Sequence, residues 1–356
     1  MEISAKVLAD SLSPCGARLT TMEWTYPRCI HSEIMTHRML SKNAASSRAI
    51  PIDKMIARIR EYPFIPKVWG THQSGMQAGA ELDEAARQVA IDQWLDARDS
   101  AVRYAEGLQR LKLAKQIVNR VYEPWMFITI IVSATSWENV WGLRCHKDAE
   151  PHFQELAYKA RNAMDASTPR VLGAGDWHLP LVDVIGRGSD SDWGSARNLL
   201  FADQTFRIGS DETKDALRRI EEVLRKVSVG RCARVSYLTH DGKRDLQADI
   251  DLHDRLIVQQ PAHASPAEHV AQALDWPKWF ANPTHRLNDP TLGPTVYYLR
   301  DQVVHARRVR MQSGAAPSES ELRHATALGE LTSGNFLGFQ QYRKTLENEH
   351  IGGLMP

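Results

Sequence analysis

Residues 18–38 read RLTTMEWTYPRCIHSEIMTHR, and a change of period inside this stretch decides the class of fold. Residues 18–26 are rich in Thr and aromatic side chains, which suit a pleated, half-buried surface, so they predict a strand. Pro27 closes it, because proline has no N–H to give to a β-ladder. Ile30, Ile34 and Met35 then fall at helical spacing. Outward from there helix dominates. Val89, Ala90, Ala97, Ala101, Ala105 and Leu108 predict helix from about Leu82 to Asn119, with Gly107 expected to break it in two. Further helices are predicted over 151–165, 212–227, 249–259 and 295–311. Residues 43–51 and 62–80 read as irregular, and 166–210, rich in Gly, Asp, Ser and Pro, as a long insertion or linker. The fold class is α+β, a mixed fold in which helix dominates.

The 356 residues carry 44 Lys+Arg against 43 Asp+Glu, a formal net charge of +1. A partner such as a nucleic-acid backbone or an anionic membrane wants a clear basic excess, so neither is expected. The run Arg307, Arg308 and Arg310 reads as a solvated helix face, with nucleic-acid binding as its rival. The longest apolar run, FITIIVSA at 127–134, is far too short to span a bilayer. The N-terminus shows no signal-peptide pattern. Cys15, Cys29, Cys145 and Cys232 form no CxxC pair and no zinc spacing, so reduced thiols, no metal and a cytoplasmic location are expected.

Three segments carry chemistry. The first is Thr36-His37-Arg38, seven residues, then Ser46-Ser47-Arg48. Arginine is a planar fork that grips phosphate, and serine hydroxyls complete such a cradle. The plain alternative is a solvated helix end and a polar loop. The second pairs Ala233-Arg234-Val235-Ser236-Tyr237 with His263-Ala264-Ser265-Pro266-Ala267-Glu268-His269. Ser265 with Glu268 three residues on reads as a capping box, and a helix start with free N–H groups is also an anion site. The third is Asn119-Arg120, then Asn139 and Leu143-Arg144 after the apolar run. A buried arginine must meet an anion or acceptor; a structural bridge from Arg144 to Glu138 or Glu150 is the alternative.

Together these segments resemble the flavin-dependent thymidylate synthases. The family's Arg-His-Arg signature, seven residues and Ser is similar to Thr36-His37-Arg38, Met39 to Ala45 and Ser46. Its ARVSF and HETPFEH segments look like residues 233–237 and 263–269. Its asparagine-to-Leu-Arg helix looks like Asn139, Leu143-Arg144, Ala149, Phe153 and Ala157. The order is permuted: the segments that come first in the family come last here. The chain then reads as one domain over 1–356, with insertions about 52–80 and 166–210 and an added tail about 271–356.

The resemblance implies a homotetramer with sites between subunits that converts dUMP to dTMP. FAD would be the cofactor, with NADPH and methylenetetrahydrofolate as co-substrates. Carried over by position, Ser236, His263, Ser265, Glu268, His37, Arg38 and Asn139 would hold the flavin. Glu33, Ser46, Ser47, Arg48 and Arg120 would hold the nucleotide, and Arg144 would sit at the pyrimidine as the catalytic charge. This chain departs from the family at Thr36 (Arg), Glu33 (Gln), Ala49 (Tyr) and Asp148 (His), with His146 two residues before the last. Action on dCMP, by methyl or hydroxymethyl transfer, and a non-catalytic flavin or nucleotide binder are the rival readings.

Overall fold

The computed structural model describes residues 1–75, 77–184, 186, 188–202, 204–205, 209–235, 244–258, 262–277 and 295–346. Its main sheet is built on β1 (Ser4–Leu12), β2 (Arg18–Pro27), β3 (Ser41–Ala44), β4 (Phe127–Ala134) and β5 (Arg170–Val171), in the order β3-β4-β2-β1-β5. The first four pair antiparallel, and β5 runs parallel to β1 at the edge. The apolar run 127–134 is thus β4, inside the sheet and buried almost throughout.

Alternation assigns each face. Met22, Trp24 and Tyr26 of β2, with Ile128, Ile130 and Val132 of β4, pack against Phe153, Leu156 and Ala160 of helix α6 (Pro151–Asp165). Period-2 side chains meet a period-3.6 stripe, so both patterns are satisfied at once. On the opposite face Ile131 meets Cys232 and Val235, at the C-terminal end of the long helix Asp211–Arg234. The polar positions of that face, Thr21 and Ser133, share a hydrogen bond of 2.6 Å. They also reach His178, which bonds Thr21 at 2.8 Å, and His269, which bonds Ser133 at 2.8 Å.

Several expectations are corrected. Helix Glu84–Arg110 runs unbroken through Gly107; one glycine costs only about 1 kcal/mol, less than an established long helix can absorb. Residues 41–44 are a strand, and β1 was not foreseen. The 166–210 stretch contributes β5, a short strand Trp177–His178 and a helix Asp192–Phe201. The Ser265 capping box does not form. Residues 265–268 make a single 3-10 turn with no side-chain cap, followed directly by strand Ala271–Ala273. That strand pairs with Trp177–His178 and with Phe339–Gln341. The helix Val296–Ser313 is anchored by Val296 N–H to the Cys15 carbonyl at 2.9 Å. Among the described residues no helix is long and apolar enough to cross a membrane, and no group of three His, Cys, Asp or Glu could hold a metal ion.

Candidate functional site

Two groups of side chains form on either end of β3. The first gathers at the end of helix α1 (His31–Met35). His37 is buried, and its Nδ1 lies 3.3 Å from Asn139 Oδ1. Its Nε2 accepts from Arg144 Nε at 3.1 Å. The Arg144 guanidinium also donates to Glu33 Oε2 at 3.1 Å and lies 4.5 Å over the Phe153 ring. His37 in turn meets the same ring edge-on at 5.6 Å. Helix Glu138–Arg144 delivers Asn139 and Arg144, and α6 delivers Phe153. Burial, and then the charge of Arg144, hold the His37 imidazole below its ordinary pKa. The partner of Arg144 is therefore Glu33; Glu138 faces Arg300, and Glu150 caps α6 and bonds His152.

The second group lines a cleft of about 530 Å³. Its walls come from Asn43, Ser46, Arg48 and Ala49 after β3, from Ala114, Lys115 and Gln116, from Ala233 and Leu256, and from His263, Ser265 and Pro266. Among the described residues two full cations and no carboxylate line it. Ser265 Oγ donates to Asn43 Oδ1 at 3.4 Å, and Asn43 Nδ2 donates to the Cys232 carbonyl at 2.8 Å. Lys115 Nζ donates to the Ala49 carbonyl at 3.0 Å, which draws the Arg48 loop toward it. Lys42, between the two groups, donates to the His37 carbonyl at 2.6 Å. Burial lowers its pKa, and the nearby Glu268 opposes that shift.

The sequence-predicted residues divide accordingly. Glu33, His37, Asn139 and Arg144 are one cluster, and Ser46, Arg48, His263 and Ser265 share the cleft. Glu268 pairs with Arg343 instead of opening into the cleft. Ser47 is buried, with its Oγ donating to Glu123 and its carbonyl accepting from Asn119 Nδ2 at 2.6 Å, so it shapes the loop from behind. Arg120 is exposed and turned to the Gln116 carbonyl at 3.2 Å, and Arg38 is exposed. Neither joins either group. Ser236 lies outside the described residues. Sequence reasoning missed Asn43, Lys115 and Gln116, and it placed Phe153 in a motif without giving it a role at the site. Lys115 stands in no motif, and only the chain's path brings it beside Arg48.

No protein-family model and no curated protein matches the chain. Solved structures resemble it in part. A UMP/dUMP methylase, PolB, from Streptomyces cacaoi bound with 5-Br UMP is 14% identical, with a TM-score of 0.38 over 46% of this chain and 88% of its own. The same enzyme bound with 5-Br dUMP is 15% identical, TM-score 0.34, over 41% and 66%. Thymidylate synthase X from Helicobacter pylori, with FAD and dUMP, is 15% identical, TM-score 0.30, over 41% and 67%. Each likeness leaves more than half of this chain outside it.

Proposed function

We propose that the protein is a flavin-dependent nucleotide methylase of the thymidylate synthase type, converting dUMP to dTMP. The observation that carries this reading is the cleft, which has no carboxylate among its described lining residues. Ser46 and Arg48, and His263 and Ser265, matched to the family's nucleotide and flavin segments, line one cavity although more than 200 residues separate the two pairs. Arg48 and Lys115 suit phosphate, Ser46 and Ser265 offer hydroxyls, and Ala49, Ala233, Leu256 and Pro266 form an apolar wall for a ring. That donor set fits a phosphorylated, ring-bearing cofactor or substrate, and it fits FAD in particular through Ser265 and His263.

At the other end of β3 from the cleft, Arg144 has its direction fixed by His37, Glu33 and Phe153. Among the described residues its Nη2 makes no hydrogen bond, so donors remain for a pyrimidine carbonyl. Arginine carries five N–H donors and stays charged, so it can stabilise negative charge developing on the ring as C5 becomes nucleophilic. FAD, when bound, supplies hydride chemistry that no side chain can, and methylenetetrahydrofolate supplies the carbon. NADPH as reductant, a homotetramer with sites between subunits and a cytoplasmic setting belong to the same reading. Glu33 faces Arg144, which supports dUMP over dCMP, because the carboxylate is already engaged and not aimed at an exocyclic amino group.

The test is cofactor content. The purified protein is expected to be yellow and to release FAD on denaturation. A colourless chain that takes up no added FAD overturns the proposal.

A further inference from the structure

Residues 331–346 take no part in any motif of the sequence, yet they hold both walls of the cleft. They run through a hairpin, Thr332–Ser333 and Phe336–Leu337, whose turn holds Gly334 at φ +61. A Cβ on Gly334 would come within 2.5 Å of Gln341 Oε1, so the turn and Gln341 are fitted closely. Asn335 Nδ2 donates to the Met39 carbonyl at 2.8 Å, and Asn335 Oδ1 accepts from Ser41 Oγ at 3.1 Å. Gln341, buried at 2% exposure, donates to Asn335 Oδ1 at 2.9 Å and to Ser41 Oγ at 3.1 Å. Ser41 opens β3, and two residues on Asn43 lines the cleft.

The second wall is held a few residues later. Arg343 Nη1 pairs with Glu268, and Tyr342 N–H donates to the Val270 carbonyl at 2.8 Å. Those bonds fix the 265–268 turn from its far side. The two walls touch each other through Ser265 and Asn43 at 3.4 Å.

We propose that Asn335 and Arg343 are positioning residues: the segment 331–346 is a brace that sets the spacing of the two cleft walls and so the affinity of the cleft for its ligand. The identity of that ligand rests on the proposed function; the brace itself does not. The network is buried at Ser41 and Gln341 and half-buried at Asn335, Glu268 and Arg343, and its buried members act with the rest as a unit because an unmet polar group is costly in a low-dielectric setting. An exposed strap held only by the apolar core beneath it would show no such paired polar grip on two separate segments.

The experiment is hydrogen–deuterium exchange on the full chain without ligand, for wild type, Asn335→Ala, Arg343→Met and Arg343→Lys, with FAD titration by fluorescence alongside. Arg343→Met is expected to raise exchange at 263–269 and, through the Ser265–Asn43 contact, at 41–46, with β1, β2 and β4 unchanged. Asn335→Ala should loosen the same two segments from the other wall. Arg343→Lys should restore most of the protection, and FAD should bind at least tenfold more weakly to the Met variant than to wild type. Wild-type exchange at both segments in both variants overturns the brace, and so does a uniform rise across the whole chain. A wild-type chain that takes up no FAD removes the proposed function, while exchange at the two segments still decides the brace.

Discussion

Arg144 Nε donates to His37 Nε2 at 3.1 Å, and this bond ties the protonation of the imidazole to the direction of the guanidinium. An accepting nitrogen carries no proton, so the ring proton sits on Nδ1, where Asn139 Oδ1 is 3.3 Å away to receive it. A protonated His37 would present N–H to N–H and turn Arg144 away. The environment favours the neutral ring, since burial and the Arg144 charge both lower the His37 pKa.

Turnover should therefore fall on the acid side, at a pH below the ordinary histidine range near 6.5, as His37 takes up its second proton. His37→Gln keeps an acceptor that does not titrate, so its pH–rate profile should lack that limb. An unchanged acid limb in His37→Gln assigns it to another group.

Arg48 and Lys115 line the cleft from different elements, and each is expected to hold phosphate in ground and transition state alike. Arg48→Ala and Lys115→Met should each raise the nucleotide concentration for half-maximal rate about tenfold, with kcat little changed. Steady-state kinetics on dUMP read this directly. A kcat loss with unchanged KM would place either residue at the chemistry instead.

His178 and His269 are fully buried, and burial pushes both down to about 3. The unfolded chain binds their protons near pH 6.5 and the folded chain does not. Stability from each is therefore complete above pH 6.5 and is lost as pH falls from there toward 3. Between pH 7.5 and 5 each contributes a loss of about 2 kcal/mol. Thermal melts should show the drop, and His178→Gln should show a shallower one than wild type.

Gly230 lies in the helix Asp211–Arg234 where it meets the helix Leu246–Val258. A Cβ there would sit 2.3 Å from the Asp249 carbonyl oxygen, a backbone atom that cannot rotate away. Asp249 also bonds Arg231 at 2.9 Å, and Arg231 grips Asp192 at 2.7 Å, so the crossing is pinned on the side-chain level too. Gly230→Ala should cost about 1–3 kcal/mol in denaturant unfolding. Wild-type stability would mean that the two helices can separate freely.

Part of the fold was legible: β2 from its Thr and aromatic content and helix 151–165 from its apolar spacing, with helix also expected near 295–311, whereas the apolar run 127–134 stood out for its length and did not read as the central strand β4. What was hidden depends on long-range pairing. Nothing local in Ser41–Ala44 announces a strand; it is one because β4 offers it a ladder. Ser265 and Glu268 have capping-box spacing, but Asn43 and Arg343 compete for their side chains and win, leaving one 3-10 turn. Of the residues that motif spacing named, the structure gathers His37, Asn139 and Arg144 in one group and Ser46, Arg48, His263 and Ser265 in the other. Arg120, also named, stands outside both groups, and Lys115 was not visible in the sequence, because a cleft wall is made by the path of the chain and not by neighbours in sequence.

Product analysis bears most directly on the central claim. The protein is to be incubated with FAD, NADPH, methylenetetrahydrofolate and dUMP, and the nucleotide weighed by mass spectrometry beside the Arg144→Ala variant. The expected result is dUMP gaining one methyl group as dTMP in wild type. In Arg144→Ala, turnover falls at least about a hundredfold while flavin stays bound. Flavin-loaded wild type that leaves dUMP unchanged, or an Arg144→Ala variant of near-normal rate, would contradict it.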